Sequence, residues 1–270
     1  MVRRPAVRAL LLGSIFLVPV SAQAADAAYD MIIRGGTIYD GSGKPPVVGD
    51  VAIKDDRIVA VGKVDGAAKT EVAAKGMAVA PGFINMLSWA TESLIADPRS
   101  QSDIRQGVTL EVMGEGWSMG PMNAGMKRLE TERQGDVKYP IEWTTLGDYL
   151  GWLEKRGVST NVASFVGAAT VRVHELGEGD VDPTPEQLGR MRALVKQAMN
   201  EGAMGVGSSI IYAPGSYAET DELVALTSEA AKCGGMYISH MRSEGDRIEE
   251  AVDELIDIAR RSGAPAEIYH

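Results

Sequence analysis

Short segments that alternate apolar and polar residues fill the first part of the chain after residue 28. Three of them begin at Asp30, Asp50 and Arg57. Turn signals separate them, at Asp40-Gly41 and at Asp55-Asp56. Alternation with period two, bounded by such turns, is typical of strands joined by tight connections. We therefore predict a small antiparallel β subdomain over residues 25–80.

The pattern changes at Pro81, where short apolar segments begin to alternate with longer helical patterns. Thr184-Pro185-x-Gln187 is a capping box that opens a helix, and Gly202 ends it. Two further helices are predicted to start within 216–220 and 243–246 and to end before Gly234 and Gly263. Apolar strands that alternate with helices indicate βα units and a parallel sheet. The six predicted strands lie at 82–87, 108–113, 161–166, 204–208, 235–239 and 266–269.

This arrangement favours an α/β fold of the (β/α)8 type, a TIM-like barrel. A complete barrel needs eight strands in about 250 residues. Residues 81–270 hold only six predicted strands, and the last one lies at His270. We predict an incomplete barrel over residues 81–270, and an open sheet of five or six strands is the alternative.

The first 24 residues have the composition of an export signal. Arg3, Arg4 and Arg8 precede an apolar run over 9–20, and residues 22–24 form an A-x-A cleavage site. We predict a signal peptide over residues 1–24 and export to the periplasm or the medium. An N-terminal anchor helix is the alternative. No later segment approaches transmembrane length, so no membrane partner is expected after the leader is removed.

Composition and charge exclude several classes of protein. The chain is 45% hydrophobic and 24% charged, which is ordinary for a globular protein. Its formal net charge is −10, and no basic cluster occurs beyond the leader, which argues against a nucleic-acid partner. The single cysteine, Cys233, allows neither an internal disulfide nor a cysteine-rich zinc module.

Two of the three histidines lie where strands are predicted to end. His240 and His270 are 30 residues apart, one βα unit, and each follows an apolar segment. The carboxyl ends of barrel strands share the face that carries active sites. Two adjacent imidazoles there can bind one metal ion, and two unrelated surface histidines are the alternative. His174 is expected in a surface loop.

Other candidate residues follow the same strand ends. Glu115 lies between two glycines after the second predicted strand. It could be a metal ligand or a general base, and a solvated loop acid is the alternative. Arg242 could bind a substrate carboxylate through its planar guanidinium, or it could simply be exposed. Glu244 follows it and is assigned to substrate binding. Tyr212, in a Pro-Gly turn, could line the pocket or pack its own loop.

Five motifs stand out beyond the leader: Asp30-Met-Ile-Ile-Arg-Gly-Gly-Thr-Ile-Tyr-Asp-Gly, Val79-Ala-Pro-Gly-Phe-Ile-Asn, Gln106-Gly-Val-Thr, Ile211-Tyr-Ala-Pro-Gly and Ile238-Ser-His-Met-Arg-Ser-Glu-Gly. Together they resemble the amidohydrolase superfamily and, within it, the D-aminoacylase branch, the N-acyl-D-amino-acid deacylases. The β subdomain and the entry to the first barrel strand are similar to that superfamily, and three later motifs are similar to the branch. The resemblance covers nearly all of the chain beyond the leader.

The resemblance implies a metal-dependent hydrolase that cleaves the amide of a small N-acylated amino acid. It also implies a chain about twice as long, with the general base beyond His270. One departure from the family concerns its His-x-His pair, because Leu87 and Trp89 stand at those positions. The branch also carries a bridging cysteine one position after Glu115.

These observations lead to one expected site. We expect a single Zn²⁺ ion bound by His240, His270 and Glu115, with Arg242, Tyr212 and Glu244 contacting the substrate. The alternatives are a cyclic-amide hydrolase of the same superfamily, a metal-free binding protein, and an inactive fragment.

Overall fold

The computed structural model describes residues 27–270, so the predicted signal peptide over 1–24 lies outside the described residues. The chain divides into two compact units. The first ends at Pro81, and the second is Gly82–His270.

The first unit is a five-stranded sheet. Its strands are β1 (Tyr29–Ile38), β2 (Val47–Lys54), β3 (Arg57–Gly62), β4 (Ala68–Ala73) and β5 (Ala78–Val79). The order is β3-β2-β1-β4, and β5 also pairs with β1. The pairs β1–β2 and β2–β3 are antiparallel, as predicted.

The prediction of a wholly antiparallel subdomain is wrong for the last two strands. Both β4 and β5 run parallel to β1. The connection over residues 63–67 does not turn back beside β3 but takes the chain to the opposite edge of β1. Ile32, Ala52 and Val64 form the small buried core of this unit.

The strands of the second unit are all parallel to their neighbours. They are β6 (Phe83–Asn85), β7 (Val108–Met113), β8 (Asn161–Ser164), β9 (Val166–Gly167), β10 (Gly205–Ser209), β11 (Met236–His240) and β12 (Ala266–Ile268). They pair in chain order, as β6-β7-β8 and as β9-β10-β11-β12. Only Phe165 separates β8 from β9, so these two together are the third predicted strand. Parallel α/β topology is therefore confirmed.

Eight helices alternate with these strands in the described part of the second unit. They are α1 (Thr91–Ala96), α2 (Gln101–Ile104), α3 (Ala124–Arg133), α4 (Leu146–Arg156), α5 (Ala168–Leu176), α6 (Pro185–Asn200), α7 (Thr220–Ala231) and α8 (Ile248–Ser262). Among residues 27–270, none of the helices combines the length and the apolar character needed to cross a bilayer.

The ends of the helices show which local sequence signals predicted a helix boundary correctly. The capping box at Thr184 is present, with Pro185 in the first turn of α6, as predicted. Helix α8 ends at Gly263 as predicted but begins at Ile248, after the predicted start within 243–246. The buried faces of the helices pack on strand residues such as Val206 and Tyr237, and this layer is the main core.

Candidate metal centre

The candidate residues lie together at the carboxyl ends of the parallel strands. Glu115 comes two residues after β7, His240 is the last residue of β11, and His270 comes two residues after β12. Trp89 follows β6, and Tyr212 follows β10. Side chains that follow neighbouring parallel strands meet at one edge of a sheet, which is where α/β proteins bind ligands.

Two glycines hold Glu115 in position. Gly114 has φ +105° and Gly116 has φ +72°, a left-handed region that favours glycine. A Cβ atom on Gly114 would lie 2.3 Å from the carbonyl oxygen of Phe165. One on Gly116 would lie 2.7 Å from the Cβ atom of Ser209. The turn therefore requires glycine on both sides, and it buries the Glu115 carboxylate, which is only 7% exposed.

The Glu115 carboxylate contacts both histidines. Its Oε1 atom lies 2.9 Å from Nδ1 of His240 and 3.8 Å from Nε2 of His270. The two imidazole rings meet edge to face, with 4.4 Å between their centroids. One potential ligand atom from each of the three residues lies within 4.8 Å of the others. The structure thus brings together the three residues that the sequence proposed as metal ligands.

Glu244 lies on the other side of the same two rings. Its Oε1 atom is 2.7 Å from Nδ1 of His270 and 3.3 Å from Nε2 of His240. Each imidazole therefore faces Glu115 with one nitrogen and Glu244 with the other. Glu244 also lines the cavity at this cluster, so its assignment to substrate binding stays a prediction beside these contacts.

Trp89 has a contact that the sequence interpretation missed. Its indole Nε1 donates a hydrogen bond of 2.9 Å to Oε2 of Glu115. The sequence presented Trp89 only as the loss of a ligand. The available signal was chemical, since tryptophan carries an N–H donor that a leucine at position 87 does not.

A cavity of about 460 Å³ opens at this cluster. Tyr212 lies on its wall, 61% exposed, with its ring edge-on to His240 at 5.2 Å. Leu87 and Trp117 also line it, and neither side chain offers a metal ligand.

Two other predicted positions lie elsewhere. The Arg242 guanidinium binds both carboxylate oxygens of Glu254 and the carbonyl oxygens of Ser216 and Ala218. It is absent from the lining of the cavity at the histidines, and four of its five N–H donors bind protein groups. Its role as substrate anchor stays a prediction. His174 lies within α5, not in a loop, and its Nδ1 atom contacts Glu175.

The donor set fits a zinc ion. Two imidazoles and one carboxylate form a known type of catalytic zinc site that leaves a position open for water. Zinc bonds of 2.0–2.1 Å in tetrahedral geometry separate neighbouring ligand atoms by about 3.3 Å. The separations of 2.9 and 3.8 Å lie on either side of that value. The Nε2 atom of His240 is buried without a hydrogen-bond partner and faces Glu244, so Nδ1 is the ring nitrogen that lies towards Glu115.

Comparison with known proteins gives clear relatives, although no protein-family model matches the chain. D-aminoacylase of Alcaligenes xylosoxydans xylosoxydans is 32% identical over 251 residues, which cover 92% of this chain and 52% of that protein. A solved structure of D-aminoacylase, concerned with its binuclear metal centre, superposes with a TM-score of 0.80. Its identity is 30%, over 89% of this chain and 51% of that one.

A third relative is N-acyl-D-glutamate deacylase of Bordetella bronchiseptica, solved with zinc and a phosphonate that mimics the tetrahedral intermediate. Its TM-score is 0.77 at 29% identity, over 88% of this chain and 50% of that one. The chain thus spans about half the length of the curated relatives it matches. The predicted resemblance is confirmed, since the chain is similar to D-aminoacylase, whose solved structure is that of an amidohydrolase. More narrowly, its relatives are the D-aminoacylases and the other N-acyl-D-amino-acid deacylases.

Proposed function

We propose that this chain carries the metal centre of an amidohydrolase that cleaves the amide bond of an N-acyl-D-amino acid. The observation that carries the proposal is the cluster of Glu115, His240 and His270 at the ends of parallel strands. It lies in a chain that is 32% identical to D-aminoacylase. The substrate is accordingly a small molecule, with the amide carbonyl directed at the cluster.

Two wider features belong to the same proposal. The pairing of the strands in chain order supports a (β/α)8-type barrel of which residues 81–270 form a part. The arginines, apolar run and A-x-A site of residues 1–24 support export of the protein to the periplasm or the medium.

Some residues of the cluster would bind the zinc ion, and others orient the side chains that bind it. His240 Nδ1, His270 Nε2 and Glu115 Oε1 would bind one zinc ion. When bound, zinc lowers the pKa of a coordinated water and polarises the scissile carbonyl. Glu244 Oε1 contacts Nδ1 of His270 at 2.7 Å and lies 3.3 Å from Nε2 of His240, so it would help to orient both rings. The Trp89 indole fixes Glu115 by binding its other oxygen.

The same contacts favour a single ion. Leu87 and Trp89 supply no ligand atoms, and the Trp89 N–H occupies the Glu115 oxygen that a second ion would need. Tyr212 and Trp117 form the walls beside the cluster and restrict where a substrate can approach.

Metal analysis of the purified protein, dialysed without chelator, tests the site. We expect about one zinc ion per chain, and we expect His240→Ala to lose it because a principal ligand is removed. His174→Ala is the matched control and should retain zinc, since His174 lies on α5 and contacts Glu175. Zinc that remains stoichiometric in His240→Ala would overturn the assignment.

Hydrolysis tests the activity separately. We expect the zinc-loaded protein to release alanine from N-acetyl-D-alanine much faster than from the L-enantiomer. Zinc-loaded protein that cleaves neither N-acetyl-D-amino acids nor longer N-acyl derivatives would contradict the proposed reaction while leaving the metal site intact.

A further inference from the structure

A second cavity adjoins the candidate metal centre. It measures about 360 Å³, and Trp89 and Trp117 line both spaces. Behind it lies a smaller cavity of about 200 Å³ that shares Trp117 and Met122 with its neighbour. Neighbouring cavities therefore share lining residues, from the cavity at the histidines to the one beside α3.

The inner walls are rich in flexible apolar side chains. Met119 and Met122 are buried and line the larger cavity, with the smaller cavity continuing along Met126 and Leu129. We call the two cavities together the methionine pocket. Methionine adapts to irregular apolar groups because its side chain is unbranched and polarisable. Ligand pockets of about 300–1,000 Å³ are typically lined in this way.

Three of the charged groups in the walls have partners within the protein. Arg133 donates to both carboxylate oxygens of Glu178, at 2.6 and 3.0 Å. Glu92 accepts a hydrogen bond of 2.9 Å from the Tyr139 hydroxyl. Burial, reinforced by the nearby Glu92 carboxylate, raises the pKa of Glu130. The pairing of Arg133 with Glu178 and of Glu92 with Tyr139 leaves the apolar side chains as the main contacts that the walls offer a ligand.

We propose that the methionine pocket receives an extended apolar substituent of the amide substrate, longer than an acetyl group. This inference rests on the proposed function, because the tryptophans place the pocket beside the histidine cluster. The substituent is either the acyl chain or the side chain of the amino acid. Both have the same chemistry, and substrates extended on one side of the amide only will distinguish them.

Binding of carboxylates to the zinc-loaded protein tests the pocket without relying on turnover. Isothermal titration would compare octanoate with acetate. Burying three methylenes at about 0.8 kcal/mol each corresponds to roughly 50-fold tighter binding of octanoate. Met122→Trp fills the pocket and should lower the ratio of octanoate to acetate affinity at least about tenfold. Met122→Leu is the conservative control and should keep the ratio near that of the parent protein.

Because Met122 is buried, a tryptophan there could prevent folding. Leu129→Trp, at the half-buried wall of the smaller cavity, is therefore the second variant. The zinc content of each variant shows whether it has folded. Equal affinities for octanoate and acetate, or a ratio that neither tryptophan variant changes, would overturn the pocket.

Turnover then identifies the substituent. A higher kcat/KM for N-octanoyl-D-alanine than for N-acetyl-D-alanine would assign the pocket to the acyl chain. A gain only with N-acetyl-D-2-aminodecanoate would assign it to the side chain. Hydrolysis of N-acetyl-D-alanine without any gain from either extension would contradict the pocket and leave the proposed function standing. Tight octanoate binding without any hydrolysis would support the pocket and contradict the proposed function.

Discussion

Glu244 and Glu115 contact the two histidines from opposite edges. Carboxylates that accept the second N–H of a metal-binding imidazole fix its tautomer and orientation and raise its basicity. Glu115 is buried, whereas the Glu244 side chain is 43% exposed. Because Glu115 is proposed as a zinc ligand, Glu244 is the positioning residue of the pair. Its contribution can be measured through the affinity of the protein for zinc.

Replacing Glu244 by glutamine should weaken zinc binding. The amide keeps the size of the side chain but loses the charge that stabilises the two imidazole N–H groups. We expect a 10- to 100-fold lower zinc affinity, measured by competition with a chromophoric chelator. Glu249→Gln, an exposed position on α8, is the control and should bind zinc like the parent protein. Unchanged affinity in Glu244→Gln would show that this carboxylate does not orient the ligands.

The indole of Trp89 should contribute in the same way through Glu115. Trp89→Phe keeps an aromatic ring but removes the N–H donor, which leaves Glu115 free to rotate. We expect roughly tenfold weaker zinc binding, at the lower end of the effects of such partners. Trp117→Phe alters the same cavity wall without touching that hydrogen bond, and its zinc affinity should stay near that of the parent.

Local sequence patterns were sufficient to predict that Glu115, His240 and His270 lie together, but not which groups Trp89, Glu244 and Arg242 contact. The first three follow predicted strand ends, and parallel strands bring such positions together. The others depend on which partner a long side chain reaches across the fold. Arg242 turns to Glu254 on α8, and no spacing in the sequence favours that carboxylate over a substrate.

Helix α6 shows how a short signal fixes an element. The Thr184 hydroxyl accepts from the backbone N–H of Gln187, and the Gln187 side chain accepts from the N–H of Thr184. These contacts satisfy donors that the first turn would otherwise leave unpaired. The signal lies within four residues, which is why its sequence prediction succeeded.

Loss of this cap should destabilise the protein without affecting the metal centre. Thr184→Ala removes the hydroxyl, and we expect about 1 kcal/mol less free energy of unfolding in urea. Thr184→Ser keeps the hydroxyl and should restore most of that stability. If the alanine and serine variants were equally stable, the hydrogen bond of the cap would contribute nothing to the folded state.

Strand pairing shows where local patterns fail. Alternation identified the strands of the first unit, yet it does not specify a neighbour. The crossing to β4 is decided by which edge of β1 the chain reaches after β3. In the second unit the βα repeat itself constrains the neighbour, since each helix returns the chain beside the preceding strand in the same sense. Parallel order was therefore predictable there.

Ion pairs and hydrogen bonds between successive βα units also stabilise the second unit. The pair of Arg242 and Glu254 is the clearest example. Arg242 follows β11, Glu254 lies on α8, and the guanidinium also binds two carbonyl groups in the loop after β10. Burial alone would raise the pKa of Glu254, but hydrogen bonds from Arg242 and Thr220, with the charge of Arg242, lower it below its usual value.

The depressed pKa gives the stability of this pair a definite pH dependence. The folded state holds the Glu254 proton less tightly than the unfolded chain, where the pKa is about 4.3. The stabilisation is therefore complete above that value and is lost as the pH falls through the lower pKa of the folded state. We expect Glu254→Gln to lower the free energy of unfolding by roughly 1–3 kcal/mol at pH 7. Urea titrations of both proteins should show this difference constant down to about pH 5 and shrinking below about pH 4. A difference that stays constant to pH 3 would mean that the Glu254 carboxylate is not what joins α8 to the strand ends.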